Sequence, residues 1–195
     1  YSNYTYKMKK NIKVNAAILI IGNEILSGRT QDTNTGTLAT WLNSIGVKVE
    51  EVRVIPDIEK IIIDTLNILR KANDYVFTTG GIGPTHDDIT AKSVSLAFGK
   101  KYEIHKEAFK ILEAYYKVGE FNEGRQKMAW MPEKAELILN PTSGAPGFSV
   151  ENVFCLPGVP SILKSMLGGL KNKIVGGEPI LSHTCLLYTS PSPRD

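Results

Sequence analysis

The chain of 195 residues has little cysteine, and this excludes one class of protein. Cys155 and Cys185 are its two cysteines, too few for the disulfide framework that stabilises small secreted domains. We therefore expect a protein of the reducing cytoplasm. A long apolar run is also lacking: near the N-terminus the longest extends from Ala16 to Ile21, far short of the ~20 residues that span a bilayer. No membrane partner is expected.

The chain lacks a net positive charge outside its N-terminus. The formal net charge is +3, and four lysines with no acid among them precede Val14. Subtracting their four charges from +3 leaves −1 for the remainder of the chain. A basic terminal segment is weak evidence for nucleic-acid binding, so we expect no nucleic-acid partner. With 42% hydrophobic and 22% charged residues, the composition is typical of a globular protein.

The sequence divides into a basic start, a long patterned region and an unusual end. Residues 1–13 are predicted to be a disordered basic tail, of which residues 1–7 look foreign because Met8 is a natural start. Residues 14–184 are predicted to form a single domain. Residues 185–195 are rich in Ser and Pro without a packing pattern, so we predict a disordered, non-native tail. The change at residue 184 suggests a domain truncated at its C-terminal end.

Short apolar runs alternate with helical patterns in the first hundred residues. This order predicts an α/β fold with a mostly parallel sheet and right-handed crossovers, in which ligands bind beyond the carboxyl ends of the strands. Strands are predicted over residues 15–21, 47–55, 75–79, 136–139 and 153–156. Helices are predicted over residues 32–44, 57–72, from 87 or 88 to 98, 106–118 and 161–167, the last capped by Ser161.

The stretch from Thr78 to Thr90 (TTGGIGPTHDDIT) links the third predicted strand to a helix. Glycine lacks the Cβ atom that keeps a ligand away from backbone amides, and a helix start offers unpaired N–H groups to an anion. The stretch lacks the Lys-Ser/Thr of a Walker loop and the third glycine of a dinucleotide fingerprint. We predict a phosphate site formed by Gly80, Gly81, Gly83, Pro84 and Thr85.

Carboxylates crowd this predicted phosphate site. Asp87 and Asp88 lie four and five residues after Gly83, and Glu24 and Asp57 follow two other predicted strands. Carboxylates beside a phosphate repel it unless a divalent cation bridges them or they act on the substrate. We therefore predict that Asp88, Asp57 and Glu24 bind Mg²⁺ or a similar cation. Helix capping by Asp57 and Asp87, and simple solvation of Glu24, are the alternatives.

Two other loops and four single residues carry weaker predictions. Ser27 and Gly28 are predicted to line the pocket, and Ser143 and Gly144 to donate to phosphate, with an ordinary turn as the alternative. Arg125 is either a phosphate clamp or a solvated helix charge. Core positions are predicted for Cys155, Trp41 and Trp130.

Residues 79–90 resemble the signature of the MoaB/Mog (molybdopterin-binding) domain superfamily, and their Gly-Pro-Thr-x-Asp-Asp form is similar to its competence/damage-inducible protein A (CinA-type) branch. Three further stretches agree with that branch. They are residues 22–28 (GNEILSG) with 32–34 (DTN), residues 145–148 (APGF) and residues 156–160 (LPGVP). The resemblance covers about residues 14–170.

This resemblance implies a three-layer α/β/α domain that binds molybdopterin or a nucleotide diphosphate and assembles as a homodimer or homotrimer. It implies that Asp57 and Asp88 are catalytic, and that Glu24 and Asp32 are further polar positions of the pocket. For the CinA-type branch it implies a metal-dependent ADP-ribose pyrophosphatase. The amidase domain of full-length members has no room here, so its activity is not expected. The alternatives are a molybdopterin-binding or adenylylating protein of cofactor biosynthesis, and a non-catalytic ligand-binding fragment.

Overall fold

The computed structural model describes residues 13–177, so the predictions made for residues 1–12 and 178–195 lie outside the described residues. The strands are β1 (Val14–Ile21), β2 (Val47–Ile55), β3 (Tyr75–Thr79), β4 (Tyr102–Ile104), β5 (Trp130–Pro132), β6 (Glu136–Ile138), β7 (Gly147–Val150) and β8 (Val153–Leu156). The helices are α1 (Asn23–Leu26), α2 (Asn34–Ser44), α3 (Glu59–Ala72), α4 (Thr90–Ala97), α5 (Lys106–Tyr115), α6 (Glu123–Lys127) and α7 (Pro160–Leu170).

The main sheet has six strands in the order β2-β1-β3-β8-β7-β6. The first four strands of that order are parallel, and β7 and β6 continue the sheet in antiparallel fashion. The mostly parallel sheet predicted from the sequence is confirmed. A separate antiparallel pair, β4 and β5, was not predicted, because three-residue strands are too short to show a period.

Strand β1 is buried on both faces, which explains its continuous apolar sequence. Successive side chains of a strand point to opposite faces, and each face of β1 packs into its own cluster. One cluster includes side chains of α3, α4 and α5, and the other those of α2 and α7. Helices therefore cover the sheet on both faces, and the three-layer α/β/α fold is confirmed.

An aromatic group fills the second of these layers. The rings of Phe77 and Phe154 are stacked with centroids 5.1 Å apart, and Trp41 meets Phe77 edge-on at 6.3 Å. Cys155 is fully buried in the other cluster, on the opposite face of the sheet, so burial raises the pKa of its thiol to about 12. The core positions predicted for Trp41 and Cys155 are confirmed.

Several element boundaries differ from the prediction. Helix α4 begins at Thr90, not at residue 87 or 88, because the Asp88 carboxylate closes the preceding turn instead of capping a helix. Helix α7 begins at Pro160, whose missing N–H suits a first helical turn, and Ser161 is not its cap. Helix α5 ends at Tyr115. Between residues 13 and 177, no helix combines the length and apolarity needed to cross a membrane.

Gly80 joins the end of β3 to the predicted phosphate loop and is the most constrained glycine of that loop. Its amide donates to the Leu156 carbonyl at 3.2 Å, and its φ of +94° lies in the region that L-residues avoid. A Cβ atom at this position would overlap the Ile21 carbonyl oxygen. Only glycine therefore fits between the ends of β1 and β8.

We expect Gly80→Ala to lower the free energy of unfolding by about 3 kcal/mol or more, because backbone strain and a steric overlap act together. Gly99→Ala is the matched control, since Gly99 also has a positive φ, +61°, but open space around its α-carbon. Its expected cost is about 1 kcal/mol. Urea denaturation of both variants measures the difference, and equal losses would contradict the overlap at Gly80.

Candidate functional site

The carboxyl ends of the four parallel strands meet at one edge of the sheet, as predicted. Two backbone hydrogen bonds fasten the loops to neighbouring strand ends: Gly22 N–H donates to the Ile55 carbonyl at 3.1 Å, and Gly80 N–H to Leu156. The loops after β1, β2, β3 and β8 are thereby held side by side. The candidate site lies among them.

Asp57 joins two of these loops. Its Oδ2 accepts a hydrogen bond from the amide of Asn23 at 2.9 Å. No side chain caps α3, whose N-cap residue is Ile58, so the capping alternative for Asp57 is wrong. Burial raises the pKa of Asp57, the Asn23 hydrogen bond opposes this, and the carboxylates of Glu24, Asp88 and Asp87 raise it further. The three neighbouring acids therefore add to burial in disfavouring the ionised form of Asp57.

Asp88 organises the loop that follows the glycines. Its Oδ2 accepts hydrogen bonds from the amide and the hydroxyl of Thr85, at 2.8 and 2.7 Å. A Cβ atom on Gly83 would lie 2.6 Å from the same oxygen, which explains the glycine. Pro84 has no N–H, and the Thr85 amide already donates to Asp88, so neither residue offers a free amide to a phosphate. Of the predicted phosphate residues, the glycines leave the backbone most accessible to a ligand.

Thr90 was not singled out in the sequence, yet it fixes the glycine turn from below. Its hydroxyl donates to the Gly80 carbonyl at 3.0 Å, and its amide to the Gly81 carbonyl at 3.0 Å. A Cβ atom on Gly81, whose φ is +65°, would overlap the Thr90 hydroxyl. In the sequence, the available signal was a threonine ten residues after Gly80, but its burial is seen only in the structure.

One cleft opens on the Gly81 side of the turn. This aromatic cleft is lined by Gly81, Gly83, Asp88, Tyr102, Lys127 and Trp130, among others. The Tyr102 and Trp130 rings lie 5.4 Å apart. Trp130 is 37% exposed, so the core position predicted for it is wrong: the small β4–β5 sheet presents it to the cleft.

Lys127 is the cation of the aromatic cleft, and the sequence analysis missed it. Its Nζ donates to the Thr85 carbonyl at 2.6 Å. The residue considered instead, Arg125, stacks its guanidinium over the Tyr116 ring at 4.3 Å and binds Glu120. Arg125 therefore stabilises the loop before α6 and does not line the cleft. Arg125 and Lys127 lie two positions apart, and the sequence alone does not show which of them lines the cleft.

A second cleft opens on the Gly80 side of the turn. This acidic cleft is lined by Glu24, Asp32, Asn34, Thr79, Gly80 and Gly158, among others. Asp32 Oδ1 accepts from the amides of Asn34 and Thr35 at 2.9 and 3.2 Å. Asp32 thereby fixes the first turn of α2 beside the cleft. The family resemblance had implied that Asp32 is a polar residue of the pocket.

The remaining predicted site residues lie outside both clefts. Ser27 donates to the Glu24 carbonyl and accepts from Arg29, and Gly28, with φ +73°, ends the first loop helix. Asn140 engages the amide and hydroxyl of Ser143, and Gly144 packs against the Tyr115 ring. The second glycine-rich loop instead places Ala145 and Pro146 in the aromatic cleft.

The acidic side chains offer only oxygen donors, which suits Mg²⁺. Among residues 13–177, no group of three Asp, Glu, His or Cys side chains is positioned to hold a metal ion. Asp57 and Asp88 each use one oxygen in the hydrogen bonds above, and the other accepts none within that range. Magnesium is commonly held by one or two carboxylates together with water and substrate phosphates. The donors fit such a shared site.

Comparison with known proteins agrees with the fold. Residues 17–177 match the family model described as "Probable molybdopterin binding domain". A protein of Archaeoglobus fulgidus is 37% identical over 161 residues, which cover 83% of this chain and 69% of that protein. A CinA-like protein of Syntrophotalea carbinolica is 36% identical over 162 residues, 80% of this chain but 39% of that protein. This chain thus spans well under half of the CinA-like relative.

Solved structures show the same relationship. The protein CinA of Thermoplasma acidophilum, described as of unknown function, superposes with a TM-score of 0.77 at 32% identity, covering 84% of this chain and 98% of that one. The tungsten cofactor synthesizing protein MoaB of Pyrococcus furiosus has a TM-score of 0.54 at 21% identity, covering 83% and 92%. The latter similarity shows the fold alone.

We expect Asp57→Asn to raise the melting temperature at pH ~7 in metal-free buffer. The folded state disfavours the ionised Asp57 carboxylate, so stability falls as the pH rises through its raised pKa. Asparagine avoids this loss and still accepts from Asn23 N–H. At pH ~3, where the carboxylate is protonated in both states, the gain disappears.

Asp74→Asn is the control for Asp57→Asn, measured by scanning fluorimetry in EDTA. Asp74 also accepts from a backbone amide, that of Asn15 at 2.9 Å, but at the opposite edge of the sheet. A gain that persists at low pH, or an equal gain in the control, would contradict a raised pKa of Asp57 caused by its burial and its acidic neighbours.

Proposed function

Because this chain belongs to the family of probable molybdopterin binding domains and resembles its CinA-type members, we propose that it binds a small diphosphate ligand across the turn at Gly80 and Gly81. We further propose that it hydrolyses the diphosphate linkage with a divalent cation, with ADP-ribose as the model substrate. Assembly as a dimer or trimer, implied by the resemblance, stays a prediction.

The observation that carries this proposal is the meeting of two unlike clefts at one glycine turn. Gly81 lines the aromatic cleft and Gly80 the acidic cleft. Neither glycine has a side chain to obstruct a phosphate, and both are locked in place by the strand ends and Thr90. A ligand with a flat ring at one end and a diphosphate next to it matches this arrangement.

Each polar side chain has a defined part in the proposed reaction. A bound Mg²⁺ would offset phosphate charge and acidify a water molecule, and Asp57 and Asp88, together with water and phosphate oxygens, would hold it. Thr85 fixes the Asp88 carboxylate in position. The pKa of Asp57 is raised by its burial and its acidic neighbours, which favours it as acceptor of a proton from the attacking water.

Lys127 supplies positive charge to the ligand in this proposal. Its ammonium has three donors, and the Thr85 carbonyl takes one of them. Among residues 13–177 it forms no ion pair with a carboxylate, although Asp88 lines the same cleft. The remaining donors are available to a phosphate oxygen beside Gly81 and Gly83.

Molybdopterin binding is the second candidate function. The family model favours it, and the Tyr102–Trp130 wall suits a flat pterin as well as an adenine. The two candidates differ in chemistry, because only the first requires the carboxylates for a hydrolytic step. Metal-dependent release of AMP from ADP-ribose separates them.

We expect the protein to release AMP and ribose 5-phosphate from ADP-ribose when Mg²⁺ is added, and Asp88→Asn to slow this at least ~100-fold because a metal-binding charge is removed. Asp64→Asn is the control, since Asp64 forms an exposed pair with Lys60 on α3. Chromatography of the products gives the rates. Full activity in Asp88→Asn would rule out its proposed role, and no metal-dependent product from the unmodified protein would rule out the hydrolysis.

We expect Lys127→Met to weaken ADP-ribose binding ~10-fold and to leave adenosine binding unchanged, because only the diphosphate meets the ammonium. Lys127→Gln keeps a donor for the Thr85 carbonyl without the charge, so it should behave like Lys127→Met. Lys92→Met is the control, as Lys92 pairs with Glu59 at 3.0 Å outside both clefts. Calorimetric titration measures the affinities, and full rescue by glutamine would show that Lys127 only supports the loop.

A further inference from the structure

A polar groove lies at the edge of the sheet where the parallel strands begin, opposite the edge that carries the glycine turn. Its cavity volume is about 340 Å³, which is ample for a small ligand. Three lysines from separate segments line it: Lys100 follows α4, Lys134 lies in the turn between β5 and β6, and Lys173 follows α7. The fold therefore brings distant basic residues together at a place that the proposed hydrolysis does not use.

The polar groove also has two carboxylates, and each of them already has a cation. Glu136 pairs with Lys173 at 3.3 Å, and Glu151 lies 3.9 Å from the guanidinium of Arg70. An ion pair at such a distance supplies little stability at an exposed site, but it offsets the negative charge locally. The two glutamates are therefore not free to balance the remaining lysines.

Two lysines of the polar groove keep an uncompensated charge. Neither Lys100 nor Lys134 forms an ion pair with another residue between positions 13 and 177. Setting the four basic side chains against the two carboxylates leaves a net charge of +2 around the groove. Positive charge gathered in a cleft raises the local concentration of anions, and two ammonium groups match a dianion.

The backbone conformation of Lys134 is a second, independent sign of a role for its side chain. Its φ is +59°, in the region that glycine adopts freely and other residues avoid. Within residues 13–177, Glu151 is the other residue besides glycine with a positive φ, and it borders the same groove. Such strain gathers at binding sites, where the side chain is needed. Arg70 accounts for the carboxylate of Glu151, whereas the ammonium of Lys134 has no such partner within that range.

Ser149 adds a buried hydroxyl to the polar groove. The residue is 6% exposed and lines the groove. In the register of the sheet it lies directly opposite Glu136 of β6 and Phe154 of β8, so one sheet face supplies all three lining residues. A serine hydroxyl can donate one hydrogen bond, which complements the charge of the lysines.

We propose that the polar groove is a second anion site, separate from the glycine turn, which binds a phosphate group as its dianion. Lys100 and Lys134 supply the two positive charges, and the Ser149 hydroxyl donates a hydrogen bond to a phosphate oxygen. Inorganic phosphate and the phosphate of a monoester share this chemistry. The proposal is independent of the proposed hydrolysis, because none of these residues lines the aromatic or the acidic cleft.

The first test locates the bound anion by NMR. Inorganic phosphate is titrated into the ¹⁵N-labelled full chain at pH ~7.5, above the second pKa of a phosphate group, and chloride at equal ionic strength is the reference. Saturable shifts at millimolar phosphate are expected for the Lys134, Ser149 and Glu151 amides. Shifts confined to Gly80 and Gly81, or equal shifts with chloride, would overturn the second site.

Glycerol 3-phosphate, titrated in the same way, distinguishes the two sources of the phosphate group. Tighter binding of the ester identifies a phosphorylated metabolite as the ligand class, and tighter binding of inorganic phosphate identifies the free anion. Either result supports the site. Failure of both compounds to shift the groove amides overturns it.

Lys100→Gln and Lys101→Gln are a matched pair, because the two lysines are adjacent and only Lys100 lines the groove. Lys100→Gln should weaken phosphate binding ~5-fold, and Lys101→Gln less than ~2-fold. An equal loss would show general attraction by surface charge. No loss in Lys100→Gln would show that Lys100 only stabilises the C-terminal end of α4. Both of these outcomes contradict the proposal.

Lys134→Gly separates binding from folding. Glycine relieves the strained backbone, so the melting temperature should rise by a few degrees while phosphate affinity falls ~5-fold. Lys134→Gln keeps the strain, and it should lose the same affinity without the gain in stability. Scanning fluorimetry and the phosphate titration measure the two effects. Unchanged affinity in both variants would exclude Lys134 from the site and overturn the inference.

Discussion

The turn at Gly80 and Gly81 is the constraint on which the site depends. Gly80 occupies the space between the Ile21 and Leu156 carbonyls, and Thr90 holds both glycine carbonyls from the other side. A side chain at either position would overlap its neighbours, so the chain can pass only as bare backbone. That same lack of side chains leaves room for a ligand, and the turn separates an aromatic cleft from an acidic one. Fold stability and ligand access thus depend on the same two residues.

Charge is the second organising feature of this edge. Burial and three neighbouring carboxylates raise the pKa of Asp57, and an arrangement of this kind lowers stability unless a cation or a ligand compensates. Lys127 is a cation on the aromatic side, held by the Thr85 carbonyl, while Asp88 anchors the Thr85 amide. The opposite charges of Lys127 and Asp88 therefore meet at Thr85. In the proposed complex, the cation bound with the diphosphate would relieve the repulsion at Asp57.

The sequence predicted the parts of this structure that repeat along the chain. The alternation of strands and helices predicted the parallel sheet. Because the carboxyl ends of parallel strands meet at one edge, the sequence also predicted that Glu24, Asp57 and Asp88 lie at that edge. Features that depend on distant contacts were missed. Lys127 lines the cleft because α6 packs against the glycine loop. The approach is close: a Cβ atom on Gly124 of α6 would lie 2.9 Å from the Pro84 carbonyl oxygen. No local pattern distinguishes it from Arg125, two residues before.

Binding of a diphosphate ligand across the glycine turn is best tested by NMR titration of ¹⁵N-labelled protein with ADP-ribose. We expect the largest shifts at the Gly80 and Gly81 amides, the Trp130 indole and the Asn34 side chain, with Gly99 unchanged. The polar groove at the opposite edge of the sheet is lined by Lys100, Lys134 and Lys173 together with Glu136 and Glu151. Shifts confined to that groove, with the glycine turn unaffected, would contradict binding at the turn.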